Sequence, residues 1–228
     1  MNVLEANNVI KNYKLGKLEV PALRGCSLEI QEGEFTSLVG PSGSGKTTFL
    51  NLAGCLDKVT SGILKIDNVD LSRFKPLELA AIRREKIGFI FQTFNLIPVM
   101  TAFENVELPL VLLRKYKKSE IKEKVHQILE DVGLKGLEKR RPVELSGGQQ
   151  QRVAVARALV KDPKIILADE PTANLDSENS ESVLELMKRL NEQRKTTFLF
   201  STHDQLVMKY ARRIIMLRDG KIVNEERR

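Results

Sequence analysis

The sequence predicts an α/β fold built on a buried parallel sheet, and three observations predict it. A glycine-rich loop, Gly40–Thr48, follows the apolar run Phe35–Val39 and opens an apolar helix pattern at Thr47–Leu56. Strand, loop and helix in that order are the setting of a phosphate-binding turn. The runs Lys164–Glu170 and Thr196–Phe200 are continuously apolar and end on polar residues, as strands covered on both faces do. Between Thr93 and about Leu159 the composition changes to helices.

Taken in order, Met1–Val9 reads as an opening strand, with Tyr13 in a loop between Lys11 and Lys14. Ala22–Ile30 and Glu34–Val39 read as strands joined by a turn at Glu32-Gly33. The loop Gly40-Pro-Ser-Gly-Ser-Gly-Lys-Thr-Thr48 has the pattern G-x-x-x-x-G-K-T. Its glycines let backbone amides ring a phosphate chain, and the helix start adds partial positive charge. Lys46 reaches the β- and γ-phosphates and Thr47 offers its hydroxyl to Mg²⁺. Gly62–Val69 is a strand, and Pro76–Lys86 is a helix carrying Leu77, Leu79, Ala80 and Ile82. Lys86–Gln92 is a buried strand ending on a polar residue.

Thr101 can cap a helix at Ala102–Leu113, which Pro109 should kink or end. Ser119 can cap the next, where Ile121, Val125, Ile128, Leu129 and Val132 form one apolar stripe that Gly133 ends. His126 falls off the stripe and is expected at the surface. Ser146 is a good N-cap for the pattern Gln150–Leu159, and the amides of Gly147 and Gly148 carry no covering side chain. A helix start of that kind binds anions. Two phosphate-binding helix starts in one small chain suggest one nucleotide held between two chains. Asp169 and Glu170 close their strand with two carboxylates, and Glu170, projecting differently, can polarise an attacking water. Ser177 is expected to cap a helix whose Val183, Leu184, Met187 and Leu190 face the core. His203 lies just beyond the strand Thr196–Phe200, on the sheet edge where ligands bind in open α/β sheets. Ile214–Leu217 and Lys221–Asn224 form a hairpin across Asp219-Gly220.

The length of 228 residues suits one globular unit. With 42% hydrophobic and 29% charged residues, the composition excludes neither packing nor solubility. The longest apolar runs are too short or too broken to span a bilayer. No basic start precedes an apolar block, so no signal peptide is expected and the chain should stay in the cytosol. Cys26 and Cys55 have no metal or redox spacing and are expected to be reduced and buried. The net charge of +7 invites a nucleic-acid reading, but the basic residues are spread and lack interleaved aromatics. No nucleic-acid partner is expected. The densest basic cluster, Arg114-Lys115-Tyr116-Lys117-Lys118, is either a solvated loop or a patch drawn to an anionic inner leaflet.

Leu145-Ser-Gly-Gly-Gln149 resembles the signature motif of ATP-binding cassette (ABC) ATPases, and five further motifs stand in that family's order over most of the chain. The resemblance implies a P-loop NTPase with a RecA-like core, an antiparallel β subdomain and an inserted α-helical signature subdomain. It implies one domain over residues 1–228, with a nucleotide-binding core at 1–92 and 160–228 and the helical part at 93–159. The resemblance implies that the ring of Tyr13, which otherwise reads as a partly buried surface tyrosine, stacks on the adenine base of ATP, and that Gly40, Ser42, Gly43, Ser44, Gly45, Lys46, Thr47 and Thr48 hold its phosphates. Ser146, Gly147, Gly148 and Gln149 would meet it from a second copy, bound head to tail. Thr47, Gln92 and Asp169 would hold Mg²⁺, and Glu170, His203, Gln92 and Lys46 would serve hydrolysis. Pro171–Asp176 resembles the loop that touches the other subunit. The partners implied are integral membrane transporter subunits, at the cytoplasmic face of the membrane. Phe94, Leu96, Ile97 and Met100 are expected to line a groove for one of their helices. Gly54-Cys-Leu-Asp57, Phe94–Pro98, Glu104–Pro109 and Leu145–Arg152 together look most like the macrolide-export and lipoprotein-release group. A polar amino-acid importer shares Phe-Asn-Leu and remains the alternative. A soluble role in DNA repair or translation is disfavoured, because no long heptad run and only one set of motifs is present.

Overall fold

A computed structural model describes residues 1–16 and 18–228. Two sheets carry the chain. The first is antiparallel, in the order β2-β1-β4-β5, from β1 (Asn2–Leu15), β2 (Leu18–Gln31), β4 (Ser61–Ile66) and β5 (Val69–Asp70). The second has the order β10-β9-β3-β8-β7-β6, from β3 (Phe35–Val39), β6 (Ile87–Ile90), β7 (Ile165–Asp169), β8 (Thr197–Thr202), β9 (Arg213–Arg218) and β10 (Lys221–Arg227). Its four inner pairings from β9 to β6 are parallel, and β10 alone runs antiparallel. The α/β architecture read from the sequence is therefore present. The opening strand is longer than expected, so Tyr13 lies within β1, opposite Val20. The turn at Glu32-Gly33 carries the chain from one sheet into the other, with Gly33 at φ 77°.

Seven α-helices lie among the described residues, with two short 3-10 turns: α1 (Lys46–Ala53), α2 (Pro76–Lys86), α3 (Ala102–Leu113), α4 (Lys118–Asp131), α5 (Gly147–Leu159), α6 (Ser177–Arg194) and α7 (Gln205–Tyr210). Thr101 caps α3 as expected, in a reciprocal box: Glu104 N–H donates to Thr101 Oγ1 (3.2 Å) and Glu104 Oε2 accepts from Thr101 N–H (2.8 Å). The helix runs through Pro109 to Leu113. A proline there removes one backbone bond, and buried Val106 and Leu110 on either side hold the turn. Two caps fall earlier than expected. Ser119 lies inside α4, whose start is closed by Glu120 Oε2 accepting from Lys117 N–H at 2.6 Å. Ser177 is the first residue of α6, because Asp176 takes the Asn179 amide at 2.9 Å. The α4 stripe is buried as expected and His126 is exposed.

The parallel sheet separates two apolar cores. Phe35, Ile166, Ala168, Phe198 and Phe200 point into one, with α3–α6. Leu38, Ile165, Leu167 and Leu199 point into the other, with α1 and the antiparallel sheet. This alternation is the two-residue period of a strand buried on both sides. Phe35 meets Phe200 with ring centroids 4.6 Å apart, anchoring β3 to β8. Both cysteines are free and buried.

Candidate functional site

The loop after β3, the ends of β6, β7 and β8 and the start of α1 enclose a cavity of about 510 Å³. Pro41, Ser42, Gly43, Gly45, Lys46, Thr47 and Thr48 line it on one side, and Gln92, Glu170 and His203 on the other. The glycines there have a geometric reason. A Cβ on Gly40 would stand 2.1 Å from the Leu217 carbonyl oxygen, and Gly45, the N-cap of α1, sits at φ 106°. Buried Lys46 donates to the carbonyls of Gly40 (2.8 Å) and Pro41 (3.2 Å), so its ammonium stays at the loop mouth.

Two pairs of side chains meet at the sheet edge. Thr47 Oγ1 donates to Asp169 Oδ1 at 3.3 Å, and burial, helped by neighbouring Glu170, pushes the Asp169 carboxyl above its usual range. A hydroxyl and a desolvated carboxylate so placed suit a hard divalent cation such as Mg²⁺ that brings phosphate and water ligands with it. No group of three acidic, histidine or cysteine side chains could cage a metal alone among the described residues. Glu170 stands in the left-handed region at φ 44°, its N–H tied to Ser201 O at 2.9 Å. Its carboxylate accepts from Thr202 Oγ1 (3.1 Å) and meets His203 Nδ1 at 2.6 Å. The Glu170 carboxylate is thus oriented on two sides.

Ser146, Gly147, Gly148 and Gln149 stand apart from this cavity, at the start of α5. Ser146 and Gln149 cap that helix reciprocally: Gln149 N–H donates to Ser146 Oγ (3.3 Å), and Ser146 N–H to Gln149 Oε1 (3.0 Å). Gly148 is buried, and a Cβ there would lie 2.2 Å from Asn179 Oδ1. The side on which a Cβ would stand is therefore taken by α6. Tyr13 also lies off the cavity wall, though its strand neighbour chain reaches the wall at Ala22.

A second groove, of about 550 Å³, opens between α2, α3, α5 and β6. Leu56, Phe89, Phe91, Pro109 and Leu112 give it an apolar floor, and Arg83, Arg84, Arg157 and Lys161 surround it with positive charge and no acid. Phe94, Leu96, Ile97 and Met100 do not line this groove; only Asn95 of that stretch reaches it. Asn105 pulls Ile97 and Met100 onto α3, and Leu96 packs on the core.

Sequence reasoning missed three residues that shape these sites. Asn174 Nδ2 holds the Gln92 carbonyl at 2.9 Å. Arg157 donates to the carbonyls of Phe94 (2.6 Å) and Asn95, both in left-handed backbone. Thr202 orients Glu170. An arginine inside the apolar run Val153–Leu159 is the one signal that pointed to any of them.

Residues 23–173 match the ABC transporter family. The chain is 50% identical, over 99% of its length and 97% of the relative's, to the ABC transporter ATP-binding protein YvrO of Bacillus subtilis. It is 47% identical to the macrolide export ATP-binding/permease protein MacB of Syntrophobacter fumaroxidans, spanning 32% of that longer chain. Among solved structures, the dimeric ATP-binding cassette MJ0796 in a post-hydrolysis state with ADP and Pi superposes with a TM-score of 0.89 at 48% identity, covering 98% of each chain.

Proposed function

The chain belongs to the ABC transporter family as an ATP-binding cassette with ATPase activity, and from that premise we propose that two copies close head to tail around two Mg-ATP and drive partner membrane subunits in export or mechanical relay. The observation that supports this most is the split of the phosphate-binding elements. Lys46, Thr47, Gln92, Glu170 and His203 converge on one cavity, while the Ser146 turn faces elsewhere. A second copy is the simplest source of the missing wall. The MJ0796 structure, described as dimeric with ADP and Pi, supports the same arrangement.

In this reading the amides of Gly43, Ser44 and Gly45 and the Lys46 ammonium hold the phosphates, with Gly40, Ser42 and Thr48 shaping the loop. Thr47, Asp169 and Gln92 would hold Mg²⁺, which would supply charge neutralisation to the phosphate chain. Glu170 takes the proton of the attacking water. His203, in contact with Glu170, donates from its other ring nitrogen to the γ-phosphate. Ser146 and the Gly148 amide of the partner copy complete the shell. Bringing so much negative charge together is offset when both halves close, and phosphate loss reopens them.

No described helix is long and apolar enough to cross a membrane, so attachment to the cytoplasmic face runs through the partner subunits. The groove beside α3 receives a helix of such a subunit. Because its four cations have no acid among them, that helix carries carboxylates at its rim. The MacB relative, which unites an ATP-binding part and a permease by name, supports the export side.

The test of the central claim is Glu170→Gln with saturating Mg-ATP on a sizing column. A stable dimer is expected, which disperses on removal of nucleotide. A monomer under those conditions would sink the two-copy scheme.

A further inference from the structure

The wall that holds phosphate and the ring that faces the base are tied together by a contact outside both. Lys11 is 9% exposed in β1, and its ammonium stands 4.9 Å from the centroid of the Tyr13 ring. Positions two apart on a strand share a face, so the cation backs the ring. The same ammonium donates to Asp57 Oδ1 (2.7 Å) and to the Lys58 carbonyl (2.8 Å). Burial alone would raise Asp57, but hydrogen bonds from Lys11, the Lys58 amide and Tyr13, with the attraction of the Lys11 charge, hold its carboxyl below the usual range.

Asp57 is itself fastened to the phosphate-loop helix. The amides of Leu56 and Asp57 both reach the Asn51 carbonyl of α1, at 2.9 and 3.3 Å. Two more bonds bind the same stretch to β1: Thr60 N–H to Ile10 O (2.8 Å) and Asn12 N–H to Thr60 Oγ1 (2.9 Å). The N-terminus of α1 thus cradles phosphate while its far end fixes Lys11 beneath Tyr13. Tyr13 remains 39% exposed and stacks on no other ring among the described residues.

We propose that Lys11 and Asp57 are positioning residues for the nucleotide base: their ion pair, anchored on the end of the phosphate-loop helix, backs the Tyr13 ring so that its outer face stacks on the purine at a fixed distance from the triphosphate. A cation on one face of an aromatic ring draws electron density toward itself and restrains the ring. The outer face then becomes a better partner for an electron-rich base. This inference rests on the reading of Tyr13 as the base platform.

The test is steady-state ATPase of the full chain, with inorganic tripolyphosphate as a competitive inhibitor that has no base. Lys11→Met and Asp57→Asn are expected to raise KM for ATP about threefold to tenfold, with kcat and the tripolyphosphate inhibition constant within about twofold of wild type. Lys11→Arg should restore most of the loss, and Lys11→Met should add nothing in a Tyr13→Ala background. If Lys11→Met does not fold, Asp57→Asn carries the same comparison. An unchanged KM, an equal loss for tripolyphosphate, or an undiminished effect without Tyr13 would overturn the inference while leaving the platform standing. If Tyr13→Ala itself leaves KM unchanged, the platform reading fails, and the inference fails with it.

Discussion

Replacing Asn105 with leucine should cost about 3 kcal/mol of folding stability, and the cost follows bond by bond. Asn105 is 1% exposed in α3. Its Oδ1 accepts from Ile97 N–H at 2.8 Å, and its Nδ2 donates to the carbonyls of Ile97, Met100 and Thr101 at 3.2, 3.2 and 3.0 Å. Leucine fills nearly the same volume, so no cavity opens. Two carbonyls keep other partners, since Ile97 O accepts from Met100 N–H (3.1 Å) and Thr101 O from the Asn105 backbone N–H (3.0 Å). The Ile97 N–H and the Met100 carbonyl are left without the partner they had, at roughly 1–3 kcal/mol each. Relief from burying the amide group offsets part of that sum. In a chain of this length about 3 kcal/mol lowers Tm by roughly 6–12 °C. Thermal and urea unfolding of the two proteins give the number directly. A loss under about 1 kcal/mol would refute the reasoning, because it would mean that the turn from Ile97 to Thr101 holds its shape without the amide.

Three more expectations come from other parts of the molecule. Lys161 donates to the carbonyls of Arg83 and Arg84 at the end of α2, and burial lowers its pKa to about 8. The unfolded chain therefore binds the extra proton between pH 8 and about 10.5, so stability relative to a Lys161→Met variant should rise across that window, by up to about 3 kcal/mol; a flat difference would contradict the burial. Burial also pushes Cys26 up to about 11 and Cys55 up to about 12, so a disulfide reagent at pH 8 should label both only after unfolding. Leu112→Glu, on the exposed wall of the basic groove, should leave ATPase of the isolated chain within about twofold yet abolish co-purification with a membrane subunit, since it puts an acid where the partner's acid belongs.

Most of the fold was legible because its signals are local. The helices Pro76–Lys86 and Ala102–Leu113 match the pattern end to end, since a proline start and a Thr-x-x-Glu box lie within four residues of the boundary. The α4 stripe needed only period. Caps misread at Ser119 and Ser177 fail for a competitive reason: the neighbouring Glu120, closing the helix start on the Lys117 N–H, or an aspartate one residue earlier, supplies the better acceptor. The phosphate loop and the carboxylates after β7 announce themselves by residue type. Asn105, Arg157 and Asn174 do not, because each bonds backbone carbonyls, which every residue has. The contact between Glu170 and His203 likewise depends on the neighbouring placement of β7 and β8, which no spacing along the chain reveals.

The two cores on opposite faces of the parallel sheet govern where the molecule is stiff. β7 and β8 send successive side chains into one core and then the other, so the strands that end at Asp169 and Thr202 are clamped from both sides. Matter packed to crystal density transmits displacement and absorbs little. The segment from Gln92 to Asn95 is held differently, by Asn174 at one carbonyl and Arg157 at two. That segment, beside the basic groove, therefore moves only as Asn174 and Arg157 move, and Arg157 sits on the groove wall. A displacement of Gln92 at the phosphate edge is thereby coupled through side chains, not through the sheet, to the surface that a neighbouring chain would occupy.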